Sequence, residues 1–108
     1  MAKLFDSPAM RETLKRVVRA QMAYKGFEYR DLSQALARLG VVQNESNLRS
    51  KVNNGSLGAQ LFVYILLAMD TRALDLEHLE AILDEVVARE HADDVSATMV
   101  TGESTFEG

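Results

Sequence analysis

Three glycines, Gly26, Gly40 and Gly55, each close a run of apolar residues spaced at the helical period. That punctuation constrains the fold more than any other feature of the chain. Before Gly26, the residues Leu14, Val17, Val18 and Met22 form one stripe, with Lys15, Arg16 and Arg19 largely on the other side. Asp6 or Ser7 is the expected N-cap, with Pro8 in the first turn, where a missing N–H costs nothing. A second helix is expected from Tyr29 to Leu39, with Leu32, Leu36 and Leu39 inward. Its small residues Ser33, Ala35 and Ala37 allow a neighbouring helix to cross closely. After the connection Val41–Asn44, a short helix from Glu45 to Asn53 is capped by Asn44 and anchored by Leu48 and Val52. The fourth helix, Leu57 to Met69, is apolar nearly all round, which is the pattern of a central core element.

A fifth helix is expected from Leu76 to Glu90, followed by Ala92 to Gly108, which mixes Asp, Ser, Thr, Gly and Glu with few large apolar residues. Strand-like alternation and internal repeats are missing. The expected fold is therefore all-α: a compact four- to five-helix domain over residues 8–72, an amphipathic helix over 73–91 and a disordered acidic tail over 92–108.

Composition narrows the chemistry. The 108 residues include no cysteine and two histidines, which excludes a disulfide scaffold, a thiol nucleophile, Cys-ligated zinc and iron–sulfur clusters. His78 and His91 stand thirteen positions apart and do not share a helix face, so no metal site is expected. Phosphate-binding glycine loops and nucleophile elbows do not occur either. No catalytic residue, no cofactor and no enzyme activity are expected. The longest apolar run, Ala59 to Met69, is too short for a bilayer span of roughly 20 residues. The expected compartment is the cytoplasm, with no membrane contact.

The formal net charge of −4 conceals a division. Residues 1–56 carry ten Lys/Arg against five Asp/Glu, a balance of +5, whereas residues 57–108 carry two against eleven, a balance of −9. Such asymmetry suggests a basic binding face joined to an acidic half.

The third helix lies in the basic half. On a helical wheel, Ser46, Asn47, Ser50, Asn53 and Asn54 fall opposite Leu48 and Val52, while Arg49 and Lys51 flank them. Short hydrogen-bonding side chains on a helix with only two inward anchors suit a DNA major groove. Asn pairs bidentately with adenine, Ser with several base edges, and Arg with guanine or phosphate. Arg30, Ser33 and Gln34, with Lys25 and Tyr29, are placed to hold the flanking backbone. Equally open is a structural role for Arg49, pairing with Glu45 at i,i+4.

From Thr13 to Leu76 the order of elements resembles the lambda-repressor (Xre/Cro) type of helix-turn-helix domain. The residues that carry the resemblance are LKRVVRAQMAYKGFEYRDLSQALARLGV and NLRSKVNNGSLGAQLFVYILLAMDT. More closely, Tyr29, Asp31, Leu32, Leu36, Gly40, Val41, Asn47, Leu48, Arg49, Lys51, Gly55, Ala59 and Phe62 are similar to the pattern YxDLAxxLxxxGV…NLRxKxxxGxxxAxFF. That pattern belongs to a family of small bacterial proteins of unassigned function. The chain departs in three places. Gly40 to Gly55 spans about three residues more than in ordinary Xre domains, Ser33 replaces the usual Ala, and Asn53-Asn54 stands where a Ser-Arg pair is frequent. The resemblance implies a DNA-binding domain of the helix-turn-helix fold.

In the fifth helix, Leu76, Leu79, Leu83 and Val86 step by 3, 4 and 3, and Ile82 and Val87 widen the seam. The seam either packs on its own core or forms a homodimer. A dimer would set two reading helices about 34 Å apart on duplex DNA. The expected function is thus sequence-specific binding of duplex DNA as a homodimeric transcriptional regulator. The alternative is a helical interaction module, antitoxin-like or a phage-encoded inhibitor, that binds a protein partner through the acidic half.

Overall fold

A computed structural model describes the backbone of residues 5–106 and the side chains of residues 5–92. It contains five helices: α1 (Pro8–Lys25), α2 (Tyr29–Arg38), α3 (Glu45–Asn54), α4 (Gly58–Ala68) and α5 (Leu76–Phe106). Among the described residues there is no strand. The tail expected over 92–108 lies almost wholly outside the residues whose side chains are described.

Helix starts follow local chemistry. Ser7 Oγ accepts a hydrogen bond from the Met10 amide at 3.1 Å, with Pro8 next to it at the first helical position. Asn44 Oδ1 does the same for Asn47 at 2.7 Å. Glu28 and Asp31 form a reciprocal capping box at the start of α2.

The first four helices all end in one way. An amide reaches back five residues to the last turn: Phe27 to Met22, Val41 to Leu36, Ser56 to Lys51 and Thr71 to Leu66, all at 2.8–3.0 Å. The motif needs a left-handed residue just before that amide. Gly26, Gly40 and Gly55 fill three of these positions, and Asp70, at φ 59°, fills the fourth. Sequence reading located the glycines and missed Asp70.

The core gathers Val18 and Met22 of α1, Leu32 and Leu36 of α2, Leu48 and Val52 of α3, Leu57, and Ile65 and Met69 from the α4 region. Val17 and Leu14 of α1 are half-buried, and α1 makes its most extensive helix contact with α5. The first helix is therefore covered on two sides. Thr13 is fully buried and donates its hydroxyl to the Ala9 carbonyl at 2.8 Å, which removes the need for an outside partner.

Two expectations require correction. Leu39 is 45% exposed rather than inward, because α2 ends at Arg38 and the chain turns away at Leu39. The fourth helix is not enclosed: Ile65 and Leu66 face the core, while Val63, Tyr64 and Leu67 face outward.

Candidate nucleic-acid interface

The third helix is held from behind by Leu48 and Val52, both fully buried, and rests on α1 and α2. At its far end, Gly55 presses on α1, where a Cβ would collide with the Arg11 backbone. That close approach fixes the tilt of α3 against the rest of the domain. Its outer residues Ser46, Asn47, Ser50, Asn53 and Asn54 are exposed, and Lys51 is half-buried.

All five share the outward arc of α3. Asn53 and Asn54, at its end, also line a recess of about 180 Å³ with Pro8, Arg11 and Glu12, at the start of α1. Arg49 is engaged locally. Its Nη2 donates to Glu45 at 3.0 Å, and its guanidinium carbon lies 5.2 Å from the centre of the Tyr29 ring. The intrahelical pair is the structural role that the sequence left open. Together with the cation–π contact it ties α3 to the beginning of α2.

On α2, Arg30 and Gln34 are exposed one turn apart. Ser33 is half-buried, and its hydroxyl donates to the Gln43 carbonyl at 2.6 Å, so this donor anchors the long α2–α3 connection and is not free to meet a phosphate. The connection between α2 and α3 is thus clasped to α2. The Ser in place of Ala supplies the clasp.

Ion pairing sorts the cations. Arg11 pairs with Asp6 at 3.0 Å, and Lys15 and Arg16 share Glu12, Arg16 also reaching Glu85 on α5 at 3.3 Å. The hydrogen bond from Arg16 holds the Glu12 carboxyl below its ordinary pKa; partial burial opposes the shift and Lys15 reinforces it. Arg19, Arg30, Arg38 and Lys51 have no ion pair among the described residues. Neither Arg19 nor Arg38 stands among the residues expected from the sequence to contact DNA. Arg19 opens onto a groove of about 360 Å³ shared with Tyr29 and Arg49, and Arg38 lies beside Gln34 and Lys25 in another recess. The signal was only their basic character; which face they joined depended on the packing of α1 and α2.

Residues 10–74 match a family model described as a domain of unknown function (DUF6471). The chain belongs to the DUF6471 family. The match covers three-fifths of the chain and takes in most of α1 and all of α2 to α4. It stops before α5, so the acidic helix lies beyond the DUF6471 region. Comparisons with curated proteins and with solved structures find no match.

Beyond the DUF6471 region, the α5 seam is largely consumed inside the chain. Val86 is buried, Leu79, Ile82 and Leu83 are half-buried, and Leu76 and Val87 stand open at 67% and 47% exposure. Both histidines are exposed, and no group of three potential metal ligands occurs among the described residues. Within the same residues, no helix is long and apolar enough to cross a membrane.

Proposed function

We propose that this DUF6471 protein binds duplex DNA sequence-specifically as a homodimeric transcriptional regulator, with α3 in the major groove. The observation that carries this reading is the outward arc of α3. Ser46, Asn47 and Ser50 are exposed, uncharged and capable of pairing with base edges, on a helix whose N-terminus is capped by Asn44. Arg30 and Lys51, free of ion pairs among the described residues, supply phosphate contacts on either side. Arg49 has a lesser part as a base reader because Glu45 and Tyr29 already occupy it; its role is to brace α3.

The acidic surface of α5 supports a second reading. Glu77, Glu80, Asp84 and Glu90 are exposed outside the family-matched region and suit a basic protein partner.

Fluorescence-anisotropy titration with mixed genomic duplex fragments across salt separates the two. DNA binding predicts that log K falls linearly with log salt, and that Arg30→Ala with Lys51→Ala lowers that slope by about 2. Binding by the double variant with an unchanged slope would remove these residues from the interface. Failure of the wild-type chain to bind at low salt would leave the protein-partner reading standing.

A further inference from the structure

The fourth helix has two apolar faces and only one is covered. From Gly58 to Ala68 there is no charged residue. Opposite the buried Ile65, Leu66 and Met69, the side chains of Gln60, Val63, Tyr64 and Leu67 share one exposed arc, and the three apolar ones are 51%, 41% and 51% exposed in that order. We propose that this arc is the homodimer interface, packing on the same arc of a second copy of the chain. The proposal rests on the homodimeric part of the reading above and moves the contact from α5 to α4.

Charge selects the occupant. The outer faces of the other helices carry Arg19 on α1, Arg30 and Arg38 on α2, Arg49 on α3 and Glu80 on α5, all exposed. Docking the α4 arc on any of these would desolvate a charge with no counterpart on α4. A second α4 arc carries no charge to desolvate. The arc is also suited to two-fold pairing. In an antiparallel crossing with the axis between Val63 and Tyr64, each copy's Val63 meets the other's Tyr64 and each Gln60 meets the other's Leu67. Gln60 and the Tyr64 hydroxyl then sit where both can hydrogen-bond.

Area sets the strength. Val63, Tyr64 and Leu67 together expose on the order of 300 Å² per copy, against about 800 Å² per partner in a standard stable interface. The free dimer is therefore weak, and two adjacent half-sites on one duplex would strengthen it by raising the effective concentration.

Sedimentation equilibrium of the full chain without DNA, from ~10 μM to ~1 mM, tests the interface apart from any nucleic acid. The wild-type weight-average mass should rise from 12.0 kDa toward twice that value. Val63→Glu with Leu67→Glu should hold it at the monomer value, with an unchanged circular-dichroism spectrum because both positions are exposed, whereas Leu76→Glu on α5 should dimerise as the wild type does. A wild-type chain that stays monomeric throughout, an α4 variant that still dimerises, or a loss confined to Leu76→Glu would each overturn the proposal. Dimerisation without DNA binding would instead refute the DNA reading and leave this interface intact.

Discussion

Replacing Gly55 by Ala should cost far more than the same change at Gly26, although both glycines occupy the same left-handed position in the same helix-ending motif. At Gly26 an added methyl meets nothing within 4 Å. Its cost is the left-handed conformation alone, about 1–2 kcal/mol, less the roughly 0.4–1 kcal/mol by which Ala restricts the unfolded chain. The net loss is about 1 kcal/mol. At Gly55 the same terms apply, but the methyl also runs into the backbone of Arg11, which cannot rotate away as a side chain would. Relief requires moving the end of α3 off α1, a strain of about 1–3 kcal/mol by comparison with overpacked cores. Gly55→Ala should therefore destabilise by about 2–4 kcal/mol. Urea unfolding followed by far-UV circular dichroism reads the difference. With a slope near 1 kcal/mol per molar for so small a domain, the two midpoints should lie about 1–3 M apart. Coincident midpoints would refute the close packing of α3 on α1, and with it the argument that this contact sets the tilt of the reading helix.

Leu48→Ala should destabilise by about 2–5 kcal/mol in the same assay, because it empties a fully buried anchor of α3, whereas Leu39→Ala should cost well under 1 kcal/mol. Asp70→Gly should stabilise the fold slightly, by about 0.5–1 kcal/mol, and so raise the unfolding midpoint, since it relieves a left-handed non-glycine residue; the exposed pair with Arg72 that it removes contributes little. The lowered pKa of Glu12 gives stability that is present above the ordinary carboxylate pKa and is lost as pH falls through the folded value. Both partners are part-exposed, so solvent screening keeps the effect below about 1 kcal/mol. Glu12→Gln should flatten the acid limb of the stability profile without changing its neutral plateau by more than that amount.

The helix order was legible because its signals are local. A glycine that must be left-handed, a proline at a first turn and an Asn cap each act within four or five residues. Asp70 performs the same task as the glycines but does not announce it, since Asp is common elsewhere. Leu39 was misplaced because the periodic pattern continues one residue past the point where the backbone turns. For α4, hydrophobicity on all sides shows that cover is needed without showing whether the chain itself provides it. The candidate interface is legible in the residue types and exposed arc of α3, through Ser46, Asn47, Ser50, Asn53 and Asn54, but not in its contacts with the other helices. The seating of Asn53 and Asn54 beside α1, the clasp of Ser33 on Gln43 and the cradle of Tyr29 under Arg49 arise from contacts between elements. A wheel drawn for one helix contains none of them.

Selection of bound duplexes from a random-sequence pool, for the wild-type chain and for Asn47→Ala and Ser50→Ala, tests the central claim most directly. Sequence reading by α3 from a two-fold dimer predicts an enriched pair of inverted half-sites centred about 10 base pairs apart. Each exposed α3 substitution should then relax preference at its own symmetric pair of positions, at a cost of about 1–3 kcal/mol in discrimination. A bound pool indistinguishable from the input, or a motif that neither substitution alters, would contradict the account.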